Sequence, residues 1–183
     1  MDRPKVPLVL PFTPAGLEIH RQALTVLHRV LAAALPHEGC ALLLGRRLSV
    51  PEGAGGSEGR LWRLERIWPA RNIWEPAAER RHRFQLDPRE QLLAQRWARE
   101  RGLEVLGAAH SHPGGVAVPS ATDVSLTAGP TLMLILAFPS GGDALAAGGL
   151  ADRALGCWWL AEGPADGGQD LPPPRPLLWR MVD

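Results

Sequence analysis

Three apolar runs of strand length constrain the fold more than any other feature of this sequence. CALLLGRRL spans residues Cys40–Leu48, LEVLGAA spans residues 103–109 and TLMLILAF spans residues Thr131–Phe138. Continuous apolar segments of this length, bounded by turn residues, are typical of buried strands. The third run is the most hydrophobic of them, so we expect a sheet at the centre of the fold.

Two longer segments between these runs are predicted to be helices. Apolar residues recur at helical spacing over residues 17–35, and Pro36 ends that helix. A second helix opens at Asp87 and Pro88 and extends to about residue 101. Its buried face is expected to carry Leu92, Leu93, Ala94 and Trp97.

Further short segments are predicted to be strands, and the mixture of strands and helices indicates the α/β class with a mostly mixed sheet. Residues 61–69 are expected to form a hairpin with the first apolar run, joined by a flexible Gly-rich tip. One domain is expected over residues 1–162, and the Gly- and Pro-rich residues 163–183 are expected to form a loose tail. The other predicted strands are residues 6–10, 82–87, 145–151 and 154–160.

Composition and charge exclude several classes of protein. The 183 residues are 45% hydrophobic and 21% charged, which suits one domain and excludes a chain disordered throughout. No apolar run reaches the roughly 18 residues of a membrane-spanning helix, and the first residues do not resemble a secretory signal. A net charge of +1 gives no bulk reason to bind nucleic acid or an anionic membrane. With only Cys40 and Cys157, a reducing cytoplasm fits better than a disulfide framework.

The stretch HSHPGGVAVPSATD, residues 110–123, carries the chemistry. Residues two apart on a strand point to the same face, so His110 and His112 can aim both imidazoles at one point. Ten residues separate His112 from Asp123, which is enough loop to bring a carboxylate back to them. Two imidazoles, one carboxylate and an open fourth position describe a catalytic zinc site.

Two further residues suit hydrolysis by a metal-activated water. Zinc lowers the pKa of a bound water toward about 7, but a base must still take its proton and return it to the leaving amine. Glu38, between the first helix and the first apolar strand, is the candidate base. Ser120 lies three residues before Asp123 and could donate its hydroxyl to the oxyanion of a tetrahedral intermediate.

Each of these residues also has an ordinary structural interpretation. Ser120 to Asp123 resembles a helix capping box, although Glu is usual in the last position. The two histidines could be satisfied polar groups on a strand, and Glu38 could be a surface acid at a helix end. The presence of all five residues in one sequence favours a metal site over these separate structural interpretations.

At this point the sequence resembles a known family. HSHP at residues 110–113, followed by PSATD at 119–123, is similar to the JAMM motif of the MPN metalloproteases, in which H-x-H precedes Asp by ten residues. PHEGCALLLG at residues 36–45 resembles the Glu-bearing upstream element of the same family. Asn72 followed by FQLDP at residues 84–88 is similar to a third family segment. The resemblance covers roughly residues 6 to 160.

The resemblance implies a fold, a reaction and a role for each motif residue. It implies a single MPN-like (cytidine-deaminase-like) domain with a mixed, curved sheet flanked by helices. It further implies a zinc-dependent peptidase or isopeptidase with one Zn²⁺ held by His110, His112 and Asp123. Glu38 would act as general acid and base, and Ser120 would steady the oxyanion.

One departure from the family bears on the substrate. Members specific for one ubiquitin linkage carry an insertion with additional zinc ligands after the motif helix, whereas only VSLTAGP follows Asp123 here. Small bacterial relatives process sulfur-carrier proteins that have a ubiquitin-like fold and a Gly-Gly tail. The expected partner is therefore a ubiquitin-like or sulfur-carrier protein with a Gly-Gly C-terminus.

Two other functions stay open at this stage. An MPN-type module could bind a ubiquitin-like protein without cutting it, and replacing Glu38 would then change nothing. A non-haem iron enzyme also uses two His and one carboxylate, but that reading leaves Glu38 and Ser120 without a role. The arginines at 80, 81 and 83 could meet an acidic partner, although a solvated loop is the commoner outcome.

Overall fold

The computed structural model describes residues 13–48, 61–127, 129–138, 155–161 and 172–183. The predicted strands at 6–10 and 145–151 and the predicted flexible tip lie outside the described residues. Within them the chain forms, in order, β1 (Gly16–His20), α1 (Arg21–Ala32), β2 (Cys40–Leu48), β3 (Leu61–Ala70), a 3-10 helix (Ala77–Arg81), α2 (Pro88–Arg99), β4 (Glu104–Pro113), α3 (Ala121–Ser125), β5 (Thr131–Phe138), β6 (Leu155–Leu160), β7 (Arg175–Pro176) and β8 (Trp179–Val182).

These strands form one mixed sheet with the order β7-β6-β5-β4-β2-β3-β1-β8. The central β4 is antiparallel to β2 and parallel to β5, and β1 is parallel to both β3 and β8. The predicted hairpin of β2 and β3 is confirmed, as are the bounds of the two most apolar strands, β2 and β5. The predicted α/β class with a mixed, curved sheet is confirmed.

The last residues of the chain close the curve of the sheet. β7 and β8 occupy opposite ends of the strand order, yet only Leu177 and Leu178 separate them. Two residues span at most about 10 Å between their neighbours, so the two ends of the sheet meet there. The N–H of Leu177 donates to Cys157 of β6, and Leu17 of β1 donates to the carbonyl of Leu178. A division into a domain and a tail at residue 162 stays a prediction, but residues 175–182 belong to the sheet.

Both faces of the sheet are covered by apolar clusters. On one face, here called the α1 face, Leu43 of β2 and Leu134 of β5 pack with α1. On the opposite face, here called the α2 face, Leu42 and Leu44 of β2 pack against Ala94 and Ala98 of α2. This alternation along β2 is the period-two pattern of a strand buried on both sides.

The first predicted helix begins later than the sequence pattern indicated. Residues 17–20 belong to β1 rather than to the helix, because Leu17 and Ile19 face the core while Glu18 between them faces the other way toward arginines. The helix starts at Arg21, where the His20 ring accepts a hydrogen bond from the N–H of Gln22. Ile19 also lies four residues before a position that is buried in the helix. The sequence therefore fitted both the two-residue period of a strand and the 3.6-residue period of a helix.

Two other expectations are corrected around α2. The helix itself is confirmed, but Leu92 and Leu93 are 68% and 54% exposed, and its buried residues are Ala94 and Ala98. Small side chains there let α2 lie close to the sheet. The predicted strand at 82–87 reduces to one bridge between Asn72 and Leu86, and backbone hydrogen bonds and the Asn72 side chain hold the segment there.

The longest helices of the described part, α1 and α2, have 12 residues each, and none there is long and apolar enough to span a membrane.

Candidate metal centre

The end of β4 presents two histidine rings on the α2 face. Ala109 and its partner Ala41 point into the core of the α1 face, so the alternation of the strand turns His110 and His112 to the other side. Their Nε2 atoms lie 2.9 Å apart, and His110 is fully buried. The strand therefore brings both imidazoles to one point, as its spacing predicted.

Asp123 reaches the same point from the first turn of α3. Its Oδ1 lies 3.4 Å from Nε2 of His110, and its Oδ2 lies 3.5 Å from Nε2 of His112. A helix begins here because Ser120 and Asp123 form a capping box, in which the Ser120 hydroxyl accepts from the N–H of Asp123 at 3.1 Å. The capping-box interpretation of Ser120 to Asp123 is therefore correct, and the same box orients the carboxylate.

Ser120 contacts the centre through Asp123. The backbone N–H and the hydroxyl of Ser120 donate to Oδ2 of Asp123 at 2.7 and 2.8 Å. The single hydroxyl proton is therefore directed at the carboxylate, and Oδ1 stays available as a ligand atom. The role of Ser120 as an oxyanion donor stays a prediction.

The tautomer of His112 is fixed by the loop that follows it. Nδ1 of His112 lies 2.7 Å from the carbonyl oxygen of Val116. Because a carbonyl can only accept, Nδ1 carries the proton and the neutral ring turns the lone pair of Nε2 toward His110 and Asp123. This is the arrangement that metal-binding histidines adopt in proteins.

An aromatic ring holds His110 from the other side. Phe84 stacks on the His110 imidazole with ring centroids 4.2 Å apart and an interplanar angle of 21°. Nδ1 of His110 is buried and has no hydrogen-bond partner within the described residues. The stacking, together with the strand backbone, sets the orientation of this ring.

The three side chains fit a divalent metal ion. Their ligand atoms all lie within 4.8 Å of one another, and the ions that His and carboxylate ligands hold at about 2.1 Å require ligand atoms roughly 3.3 Å apart. The two Nε2 atoms lie 2.9 Å apart and Oδ1 of Asp123 lies 3.4 Å from Nε2 of His110, close to that value. Two imidazole nitrogens and a carboxylate that converge on one buried point form a donor set that suits a cation.

Electrostatics favour an ionised Asp123 and a neutral His110, and they stabilise a proton on His112. Burial would raise the pKa of Asp123, but hydrogen bonds from both imidazoles and from the N–H of Ser120 hold it well below its usual range. Burial lowers the pKa of His110. Burial also acts to lower the pKa of His112, but hydrogen bonds to Asp123 and Val116 and the charge of Glu38 raise it. Asp123 is therefore ionised and His110 neutral near pH 7.

Glu38 faces this group from the segment before β2. Cys40 pairs with His110, and the N–H of Ser111 donates to the carbonyl of Gly39 at 3.0 Å, so the antiparallel register continues to set Glu38 opposite His112. Its side chain is buried, and burial raises the pKa of Glu38 to about 7, with the charge of His112 acting against the rise and that of Asp123 adding to it. Such a carboxylate can both accept and donate a proton near neutral pH.

A cavity of about 670 Å³ reaches Asp123. Gln91 and Gln95 of α2 line it, as do Leu126 and Thr127. Trp74 and Phe84 also line it. Of the three residues of the metal group, Asp123 is the one that borders this cavity.

Comparison with known proteins identifies the family. A model of the prokaryotic homologs of the JAB domain matches residues 20–159. The chain belongs to this family. The match contains all five motif residues, from Glu38 to Asp123, and the resemblance to the JAMM/MPN proteins is confirmed at the level of the family.

The chain is also similar to solved structures. A protein from Desulfitobacterium hafniense is 25% identical, with a TM-score of 0.65 over 91% of this chain and 93% of that one. A protein from Salinibacter ruber is 25% identical, with a TM-score of 0.48 over 89% and 99%. A JAB1/MPN domain protein from Archaeoglobus fulgidus is 16% identical, with a TM-score of 0.47 over 92% and 99%. No curated protein matches the sequence of the chain.

Several residues of this JAB-domain centre were not assigned a role from the sequence. Asn72 donates from Nδ2 to the carbonyls of Glu38 and Arg83, both at 3.0 Å, and accepts from the N–H groups of Trp74 and Gln85. It thereby ties the segment of Glu38 to the loop that carries Phe84. Asn72 and Phe84 stood in a recognised motif, but nothing local to either residue indicated these contacts.

The arginine cluster and Cys40 take no direct part in the metal group. Arg80 forms an ion pair with Glu75 and donates to the carbonyl of Trp74, while Arg83 lies over the Trp74 ring. The Cys40 thiol is buried and lies 3.5 Å from the carbonyl of Ala70. Arg80 and Arg83 thus contact residues of the adjacent Trp74 segment, and an acidic partner for the cluster stays a prediction. Cys40 is a packed core residue.

Proposed function

We propose that this JAB-domain protein is a zinc-dependent peptidase or isopeptidase. Its substrate would be a ubiquitin-like sulfur-carrier protein, cut at the amide bond that follows the C-terminal Gly-Gly. The observation that carries the proposal is Glu38, a buried carboxylate with a pKa raised to about 7, set opposite a group of two His and one Asp. A binding module has no use for a proton acceptor held beside a metal group.

Each residue of the site has a separate role in this proposal. His110, His112 and Asp123 would hold one zinc ion, which when bound supplies a Lewis acid for the scissile carbonyl and acidifies water. Glu38 takes a proton from the attacking water and delivers it to the leaving nitrogen, which becomes the free amine. Because its pKa lies near 7, neither half of this transfer is strongly uphill at neutral pH.

Ser120 would act at the oxyanion in this proposal. Its hydroxyl donates to Oδ2 of Asp123, so that proton must turn toward the substrate as negative charge develops on the carbonyl oxygen. The backbone N–H of Ser120 continues to hold Oδ2 at 2.7 Å while the hydroxyl turns. The carboxylate therefore keeps one of its two hydrogen bonds throughout.

The cavity supports a narrow, extended tail as the substrate. Trp74 and Phe84 line it, and Phe84 stacks directly on His110, so the passage near the metal group is bounded by large rings. Residues without side chains fit between such walls, and a Gly-Gly terminus supplies two of them. Gln91 and Gln95 offer amide groups to the backbone of a peptide in the cavity.

The test is cleavage of a Gly-Gly-tailed carrier protein that bears a short C-terminal extension, followed by intact mass. We expect loss of the extension by the zinc-loaded protein, no loss with a chelator, and no loss with Glu38→Gln. Glu79→Gln, on an exposed carboxylate of the neighbouring 3-10 helix, is the matched control and should cleave normally.

Two outcomes would overturn the proposal in different ways. If Glu38→Gln cleaves as fast as the unchanged protein, Glu38 is not the base. If the protein binds zinc and the carrier but cleaves neither a peptide extension nor a lysine isopeptide, it is the non-catalytic binding module instead.

A further inference from the structure

Trp158 lies outside the metal group but contacts the loop that controls it. Its indole Nε1 donates to the carbonyl oxygen of Ala117 at 2.9 Å, across 41 residues of sequence. Ala117 directly follows Val116, whose carbonyl fixes the tautomer of His112. One hydrogen bond from β6 is therefore one residue away from the contact that turns the His112 lone pair toward the metal position.

The same carbonyl also lies directly against Gly156, where there is no side chain to push it away. A Cβ added at Gly156 would lie 2.0 Å from the oxygen of Ala117 and 3.1 Å from its carbonyl carbon, which is far inside van der Waals contact. The loop therefore crosses directly over β6 at Gly156. Gly156 and Trp158 alternate on the strand, so they present the loop with a gap and a donor on the same face.

The loop has no regular structure to hold it in place by itself. Between β4 and α3 it begins with Gly114 at φ 73°, where its N–H donates to Phe138 at 2.7 Å, and Gly115 follows. Val116 and Val118 are 68% and 48% exposed and so are not anchored in the core. The Ala117 carbonyl is thus the point at which β6 fixes the middle of this segment.

The apolar cluster beneath this contact also supports the helix that presents Asp123. Met133, Ile135 and Leu160 form a buried cluster, and Ala117, Trp158 and Val124 pack against it. Val124 is the neighbour of Asp123 on α3. One apolar cluster on β5 and β6 thereby carries both the loop after His112 and the helix that presents Asp123.

We propose that Trp158, with Gly156, is a positioning residue of the metal centre. By holding the Ala117 carbonyl, it keeps the Val116 carbonyl on Nδ1 of His112, and so directs the lone pair of Nε2 of the neutral ring at the metal position. Without this contact Nε2 can carry the proton instead, since it has Nε2 of His110 at 2.9 Å and Oδ2 of Asp123 at 3.5 Å as acceptors. That tautomer has no lone pair to offer a cation.

The inference concerns the metal group on which the proposed function rests, but its test does not use cleavage. Trp158→Phe keeps the ring in the cluster and removes only the N–H donor. In the metal-free protein, at a pH above the pKa of His112, long-range ¹H–¹⁵N NMR of the imidazoles reports which nitrogen carries the proton. We expect the unchanged protein to show the Nδ1-H form of His112, and Trp158→Phe to show a mixture of both tautomers.

Metal affinity supplies the second readout. Outer hydrogen bonds that orient a metal-ligating His are worth about 10- to 100-fold in affinity when removed, and Trp158 acts one contact further out. We therefore expect Trp158→Phe to weaken zinc binding by about tenfold. Gly156→Ala displaces the same carbonyl by steric contact and should also shift the tautomer and weaken binding.

Trp159→Phe is the matched control because it alters the neighbouring indole on the other face of β6. Trp159 packs in the core against Trp62, with ring centroids 5.4 Å apart, so its replacement should lower stability without moving the tautomer. An unchanged tautomer and a zinc affinity within twofold in Trp158→Phe would overturn the proposal. An equal loss in Trp159→Phe would do so too, since it would show a general effect of destabilising β6. If the unchanged protein does not cleave, while Trp158→Phe still shifts the tautomer and weakens zinc binding, the result counts against the proposed function alone.

Discussion

The buried hydroxyl of Ser111 accepts a hydrogen bond from the backbone N–H of Gly39 at 2.8 Å. Ser111 lies between His110 and His112 on β4, and Gly39 follows Glu38, so this bond joins the strand of the two histidines to the segment of the proposed general base. A Cβ at Gly39 would lie 2.9 Å from the Leu31 carbonyl, which leaves this segment little freedom to shift toward α1. The position of Glu38 relative to the two histidines is therefore set by a short, packed connection.

Replacing Ser111 by Ala should separate stability from catalysis. The substitution leaves the buried N–H of Gly39 without its acceptor, which costs about 1–3 kcal/mol of unfolding free energy. Zinc affinity should change little, because no ligand is touched, whereas the rate of cleavage should fall as Glu38 loses its fixed position. Denaturant unfolding, zinc titration and turnover measure the three quantities. Normal turnover in a destabilised variant would contradict the positioning role of this bond.

Asn72 should be a second position outside the metal group at which a substitution lowers the stability of the protein. It makes four hydrogen bonds, two as donor and two as acceptor, to the segments that carry Glu38 and Phe84. Asn72→Ala should cost roughly 2–4 kcal/mol in denaturant unfolding, since the bonds act together. Gln95→Ala, on the exposed side of α2, is the control and should stay within about 0.5 kcal/mol of the unchanged protein. Equal stability of the two variants would show that the hydrogen bonds of Asn72 do not stabilise this loop.

Metal binding should raise the thermal stability of the protein. Because His110, His112 and Asp123 come together only in the folded chain, a bound ion stabilises the native state by about 2.7 kcal/mol at a concentration of 100 Kd. We expect zinc to raise the Tm of the metal-free protein and a chelator to reverse the rise. Asp123→Asn should abolish the response, while His82→Gln, on an exposed His, should retain it. A rise in Tm with Asp123→Asn would place the ion elsewhere.

The metal group was predictable because its geometry is local. His110 and His112 share a strand, so alternation alone turns both rings to one face, and the capping box at Ser120 starts the helix that aims Asp123. These are short-range rules that a sequence displays directly. Glu38 lies 72 residues before His110, and only the family resemblance indicated that the two segments meet.

The remaining features depend on contacts that no local pattern encodes. β8 pairs with β1 across about 160 residues, and its sequence lies in a Pro-rich segment that resembled a tail. Leu17 and Ile19 fitted both a strand and a helix, and only the pairing of β1 with two neighbours selects the strand. Phe84 and Trp158 act on the centre through tertiary contacts, and an aromatic residue in sequence does not reveal its partner.

Both cysteines should be inert toward thiol reagents in the native protein. Burial raises the pKa of Cys40 to about 12, with the charge of Glu38 adding to the rise, and burial alone raises the pKa of Cys157 to about 12. At neutral pH the reactive thiolate is therefore nearly absent. We expect no reaction with Ellman's reagent until the protein is unfolded, when two thiols react. Rapid labelling of Cys40 in the native state would support a redox role for it instead.

Acid should unfold the protein partly through Glu18, which helps to close the sheet. Glu18 of β1 is buried and accepts hydrogen bonds from Arg180 of β8 and Arg63 of β3, and the bond from Arg180 is the largest cause holding its pKa below the usual value of 4.5. The folded state thus binds fewer protons than the unfolded state. Its contribution to stability is fully present above about pH 4.5 and is lost as the pH falls through the folded pKa.

Replacing Glu18 by Gln should therefore flatten the loss of stability below pH 4.5 and lower the stability at neutral pH by about 1–3 kcal/mol, because the hydrogen bonds lose their charge. Unfolding free energies from denaturant titrations across this range measure both effects. Glu104→Gln is the control, since its ion pair with Arg47 is exposed on both sides and such pairs contribute about 0–1 kcal/mol. If the slope with pH is the same in Glu18→Gln as in the unchanged protein, the carboxylate does not hold β8 against β1 through its charge.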